Sequence, residues 1–190
     1  RTVVPPIRTF SLIEYPDKHL LISTSNGLME YVEGKGSADI KTDIDFSSMR
    51  IFDMKTDDDL LILATNGNGI YILKDKKLYQ HLSVTNGLSD NNCKKMCTSG
   101  DTIYVSTDNG LNILVKQNHL WNISEIITVK NGLLSNTVND AAISDGKIYL
   151  ATEKGLSIIN QSTLSRDKFV GRVYVTEIIT DSLHSVADTG

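Results

Sequence analysis

No apolar run in this chain approaches the roughly 18 residues that would carry a helix across a membrane. Cysteine is scarce, with only Cys93 and Cys97 among 190 residues. Two thiols exclude a disulfide framework. Positions four apart on a regular strand share a face about 13 Å apart, at about 3.3 Å per residue. That is too far for a mutual bond. The pair is expected to be reduced, buried and small. The four histidines, His19, His81, His119 and His184, are scattered, so no zinc spacing forms. Neither sign of charge dominates: the net charge is −4, which gives no reason to expect nucleic acid or an anionic membrane as partner. Gly-rich phosphate loops, zinc signatures and nucleophile elbows are all missing. No cofactor is expected. The chain opens on Arg1 without a signal segment. It reads as an excerpt, with any signal or membrane anchor lying outside it.

What is present is a repeat. "STSNGLMEY" (23–31), "ATNGNGIYIL" (64–73), "STDNGLNIL" (106–114) and "ATEKGLSII" (151–159) share one plan. A small residue is followed by Thr, polar or glycine residues, Gly and an aliphatic. The Gly falls at 27, 69, 110 and 155, in steps of 42, 41 and 45 residues. A period of this length marks a repeat architecture.

Each copy reads as strand, tight turn, strand. Short runs of strand formers precede the Gly: Leu20–Ile22, Leu61–Leu63, Ile103–Val105 and Ile148–Leu150. They are too short for helices. Asn, Asp and Gly between the strands tolerate positive φ. A further strand lies upstream, at Ile7–Ile13, Met49–Met54, Cys93–Cys97 and Val138–Ile143. Another lies downstream, at Ala38–Phe46, Lys77–Val84 and Leu120–Val129. We label the four A to D. An antiparallel meander of four strands in about 42 residues is the size of a β-propeller blade. The fold class is therefore all-β, with four blades at about 7–46, 47–91, 92–136 and 137–168. The small residue before Thr suits a central strand packed closely between neighbouring sheets.

A second Asn-Gly-Leu series, 86–88 and 131–133, follows strand D. The D-to-A connections and the B-to-C turns lie on one face of an up-down meander. Asn91, Asn92, Asn136 and Asn139 stand in these connections, near the central opening. They are the candidate ligand-binding residues, although as residue types they read first as turn formers and local caps. Trp121, Tyr79 and Tyr31 could meet a sugar face, but they fall on outer strands and are expected to pack between blades. Asp57, Asp58 and Asp59 sit at a hairpin turn, where a solvated acidic loop is expected rather than a calcium site. No catalytic residues are assigned.

"NGLSDNNCKKMCTSGDTIYVSTDNGLNIL" (86–114) and "NGLLSNTVNDAAISDGKIYLATEKGLSII" (131–159) resemble the two-component regulator propeller repeat. Tyr104 and Tyr149 stand where that family often has Trp. The resemblance covers roughly residues 7–164 and is most specific in the third and fourth units. It implies a larger propeller of which this chain is part, in the periplasmic sensor region of a membrane-bound histidine kinase. Hybrid two-component sensors of gut Bacteroidetes belong to this family and often recognise glycan fragments. It further implies that "GRVYVTEIITDS" (171–182) opens a β-sandwich over 169–190, after a propeller segment over 1–168.

The expected function is thus a non-catalytic extracytoplasmic sensor segment with an oligosaccharide as ligand. The membrane would be reached only through segments outside the chain. A propeller-fold lyase or glycosidase and a protein-interaction scaffold are the rival readings. An unclosed arc of four blades also leaves two terminal faces bare, calling for self-association or for missing blades. Phe10, Leu12, Leu21 and Leu28 are expected on the upstream face. Ile143, Leu150, Leu156 and Ile158 are expected on the downstream one.

Overall fold

In each repeat the motif Thr fixes the turn that makes a blade. Thr24, Thr65, Thr107 and Thr152 donate through Oγ1 to the carbonyl of Gly27, Gly69, Gly110 and Gly155, at 2.7–3.0 Å. All four glycines have φ between 77° and 127°. The Thr hydroxyls of three turns also accept the N–H of Asn26, Asn109 and Lys154. A hydroxyl that both donates and accepts ties a two-residue loop to its own strand ends.

The computed structural model describes residues 6–15 and 19–164. The first sheet comprises β1 (Thr9–Tyr15), β2 (His19–Thr24), β3 (Gly27–Val32) and β4 (Gly36–Asp39). The second comprises β5 (Ile51–Asp57), β6 (Leu60–Thr65), β7 (Ile70–Lys74) and β8 (Lys77–Leu82). The third comprises β9 (Cys93–Ser99), β10 (Thr102–Thr107), β11 (Gly110–Gln117) and β12 (Leu120–Ile127). The fourth holds β13 (Val138–Ser144), β14 (Lys147–Thr152) and β15 (Gly155–Asn160). Every pairing is antiparallel and sequential. Consecutive sheets meet through β5 against β1, β9 against β5 and β13 against β9. This is the blade arrangement that the repeat predicts. The fourth blade has three strands among the described residues, and Gln161–Leu164 make one helical turn, α1, after β15. The expected sandwich strand at 171–182 lies outside the described residues.

Three cores lie between blades. Leu21, Leu28, Phe46, Ile51, Met54 and Leu63 join the first and second. Ile62, Ile70, Ile72, Met96, Val105 and Trp121 join the second and third. Tyr104, Leu111, Ile113, Ile127, Ile148 and Leu150 join the third and fourth. Of the residues expected on bare terminal faces, Phe10 meets Phe52 of the second blade, and Leu21, Leu28, Ile143 and Leu150 pack inside the stack. Each lies on the face of its sheet that points toward the neighbouring blade.

The first strand D is shorter than its sequence suggests. It ends at Asp39, not Phe46. The following segment drops Ile40, Ile44 and Phe46 into the first interblade core. Asp43 there accepts the N–H of Leu78 at 2.8 Å, at the start of the second blade's outer strand. Burial of three apolar side chains wins over continued ladder pairing.

The cysteines also depart from the simple strand reading. Cys93 belongs to the core between blades two and three, whereas Cys97 packs against the core between blades three and four. Both are free. They occupy opposite faces because an extra residue, Lys94, interrupts the alternation.

Candidate functional site

That extra residue recurs in every blade. In β1 the register passes from Thr9 to Ser11, in β5 from Ile51 to Asp53, in β9 from Cys93 to Lys95, and in β13 from Val138 to Asp140. The residues left over are Phe10, Phe52, Lys94 and Asn139. A bulge re-aims its side chain out of the strand's alternation. Here all four bulged residues turn into one cavity of about 460 Å³, joined by Arg8, Thr9, Asn92 and Lys95. The cavity draws on the inner strands of all four blades and sits at their D-to-A end. Its volume falls within the roughly 300–1,000 Å³ of small-molecule sites. A second concavity, of about 530 Å³, is formed within the first blade around 39–47 and draws on that blade alone.

The wall has two chemistries. Phe10 and Phe52 meet edge to face, with centroids 5.2 Å apart. Each carries a guanidinium over its ring, Arg8 at 5.2 Å and Arg50 at 5.9 Å. Opposite them is a polar network. Lys94 Nζ donates to Asn139 Oδ1 at 3.1 Å and pairs with Asp108 at 2.6 Å. Asn92 Nδ2 donates to the other oxygen of Asp108. Asn92 Oδ1 is buried and accepts no hydrogen bond among the described residues. Behind the wall Asp53, only 4% exposed, accepts from Ser11 Oγ and from Met96 N, tying three blades together.

The four candidate asparagines divide into two pairs. Asn92 and Asn139 line the cavity. Asn91 and Asn136 do not. Their side chains accept the N–H of Val84 and Val129 at 2.9 and 2.8 Å, closing the connections. Their carbonyls accept from Gly69 and Gly110, in the neighbouring B-to-C turns. The Asn-Gly-Leu series is local structure too. Asn86 and Asn131 cap single 3-10 turns, Gly87 and Gly132 end them with positive φ, and Leu88 and Leu133 are buried.

The other candidates lie elsewhere. Trp121 is buried between blades, and Tyr79 donates to the carbonyl of His119 at 3.0 Å. Asp57 and Asp58 pair with Lys116, and Asp59 with Lys74 at 2.8 Å. No group of His, Cys, Asp or Glu among the described residues is arranged to hold a metal ion. Sequence reasoning missed Phe10, Phe52 and Lys94. For Phe52 and Lys94 the trace was a pair of apolar residues spaced three apart, not two, at the start of the inner strand, Ile51/Met54 and Cys93/Met96, as Val138/Ala141 are around Asn139; Phe10, after Thr9, had no such trace.

No protein-family model matches the chain, and no curated protein matches it. Solved structures do. The extracellular domain of BT3049 of B. thetaiotaomicron, described as a hybrid two component system, superposes with a TM-score of 0.65 at 19% identity. That match covers 80% of this chain and 21% of the other. The fold is that of a β-propeller segment. The extracellular domain of BT4673 from the same organism gives 0.65 at 21% identity, over 82% of this chain and 20% of the other. BamB from Moraxella catarrhalis gives 0.54 at 16% identity, over 82% and 47%. The chain thus spans about a fifth of the length of the two extracellular domains. The likeness is one of fold, and it reaches the same kind of extracellular domain that residues 86–114 and 131–159 resemble. Among the described residues no helix is long and apolar enough to cross a membrane.

Proposed function

We propose that this chain is a non-catalytic, ligand-binding segment of an extracytoplasmic, periplasmic sensor in a two-component system, with an oligosaccharide as its ligand. The convergence of the four bulged residues on one cavity carries this reading. Aromatic surface at Phe10 and Phe52 suits the C–H face of a sugar ring. The amides of Asn92 and Asn139 offer donors and acceptors to hydroxyls. Asp108, the carboxylate of the polar network beside them, is held by Lys94 and Asn92. The signal would pass to a histidine kinase outside this chain.

Calorimetric titration with a panel of neutral and acidic oligosaccharides tests the proposal. At least one is expected to bind, and Phe52→Ala and Asn139→Ala are each expected to weaken it about tenfold, or 1.4 kcal/mol. Binding that both variants leave unchanged would place the ligand elsewhere. Binding by none of the panel would support the scaffold reading, and turnover of any would support the enzyme.

A further inference from the structure

The chain is acidic overall, with a net charge of −4, yet the cavity at the inner strands gathers positive charge. Arg8, Lys94 and Lys95 line it, brought from the first and third blades. They differ in how far the protein neutralises them. Lys94 is spent within the wall: its ammonium pairs with Asp108 at 2.6 Å and donates to Asn139 Oδ1. Lys95 is held loosely, 3.9 Å from Asp53. That carboxylate stands equally far from Lys55 and already accepts from Met96 N and Ser11 Oγ. One anion is thus shared between two ammonium groups. Arg8 is exposed, and its side-chain contact among the described residues is a ring: the guanidinium lies 5.2 Å from the Phe10 centroid. A ring face attracts a cation without neutralising it.

The polar groups also share a sense. Lys94 takes the Oδ1 of Asn139, so the Nδ2 is the end left for a ligand. Arg8 and Lys95 can only donate. A lining of donors suits a ligand rich in acceptors, and a cleft of one charge concentrates the other. Resting on the oligosaccharide reading above, we propose that this cavity selects an acidic saccharide, whose anionic group is taken by Arg8 and Lys95. A carboxylate fits the planar fork of the guanidinium, and a sulfate ester offers the same kind of oxygens. Arg8 joins the two chemistries of the site. It lies on the aromatic wall, so an anion held there keeps the attached sugar ring beside Phe10 and Phe52.

Calorimetry on the whole chain with matched pairs tests this. The pairs are trisaccharides of galacturonate, glucuronate and mannuronate, each against its neutral methyl ester, and a sulfated trisaccharide against its desulfated form. The acidic member of at least one pair is expected to bind about tenfold or more tightly than its neutral counterpart. That ratio is expected to shrink as salt rises and screens the cations. The pair that shows it tells carboxylate from sulfate. Arg8→Gln with Lys95→Gln is expected to bring the ratio near one, and the charge-keeping Arg8→Lys with Lys95→Arg to preserve it. An unchanged far-ultraviolet spectrum will show that both variants fold. A neutral member bound as tightly as its acid overturns the inference and leaves the oligosaccharide reading standing. A ratio that survives the glutamine variant also overturns it, since the anion would then sit elsewhere. Binding by no member of any pair overturns both.

Discussion

Phe10 and Phe52 occupy the same bulge position in consecutive blades, and their rings meet at 89° with centroids 5.2 Å apart. Two residues 42 apart in sequence thereby form one aromatic wall. Edge-to-face pairs contribute about 0.5–1.5 kcal/mol beyond their burial. A double-mutant cycle with Phe10→Leu and Phe52→Leu is expected to show coupling of about 1 kcal/mol by urea denaturation. Additive losses would mean that the rings pack independently.

Asp53 is the polar counterpart of that wall. Its carboxylate takes Met96 N at 2.9 Å and Ser11 Oγ at 3.2 Å, with Lys55 and Lys95 each at 3.9 Å. Removing it leaves a buried N–H in the third blade without its acceptor. Asp53→Ala is expected to cost about 3 kcal/mol, the scale of a charge-assisted bond plus an unsatisfied partner. Asp53→Asn should cost less, since its carbonyl can still accept. Denaturation midpoints check both, and equal losses would remove the role of the acceptor.

The thiols give a pH signature. Burial, with Asp90 nearby, pushes the Cys93 thiol up to about 12; burial, with Asp140 nearby, pushes Cys97 to about 11, against an ordinary 9.0. A raised pKa means that the folded state holds its proton more tightly than the unfolded one. The stability from this source is complete below pH 9 and falls as pH rises toward 12. Cys93→Ala is expected to show a flatter decline than wild type across that window. At pH 8 a thiol reagent should modify half-buried Cys97 first and Cys93 only on unfolding. Parallel pH profiles, or equal labelling rates, would contradict this.

The turn motif made the blades legible because its chemistry is local. Thr, a positive-φ Gly and flanking β-formers specify a hairpin wherever they occur, so strands B and C emerge directly from the repeat. The bulges are not legible in the same way. Phe10, Phe52, Lys94 and Asn139 share a position but not a single chemistry, and one inserted residue only shifts the apolar spacing from two to three. That shift also moved Cys97 to the face opposite Cys93. The end of strand D in the first blade was hidden for another reason. Ile40, Ile44 and Phe46 look like strand residues, and only the core they fill shows that they left the ladder. Among the asparagines, type and spacing could not separate Asn92 and Asn139, at the cavity, from Asn91 and Asn136, which close the connections.

The turn glycines differ in a way that the repeat conceals. Gly110 and Gly155 both have strongly positive φ, 114° and 127°. An L-residue there pays about 1–2 kcal/mol for the backbone alone. At Gly110 a Cβ would also stand 2.5 Å from the carbonyl oxygen of Ile127, at the end of the blade's own outer strand. Gly27 and Gly69 are pressed as closely by the carbonyl oxygens of Phe46 and Leu82. At Gly155 the nearest atom is Leu134 Cδ1, at an ordinary 3.5 Å. The close approach comes from the chain that closes each of the first three blades, the ends of β8 and β12 at Gly69 and Gly110 and the segment after β4 at Gly27, and the fourth blade has no such neighbour among the described residues. Gly155→Ala is therefore expected to cost only the backbone term. Gly110→Ala must in addition displace β12 from β11, so it should lower stability by at least about twice as much. Urea midpoints compared at constant m-value check this. Equal shifts for the two variants would mean that the turn conformation alone accounts for glycine at both positions.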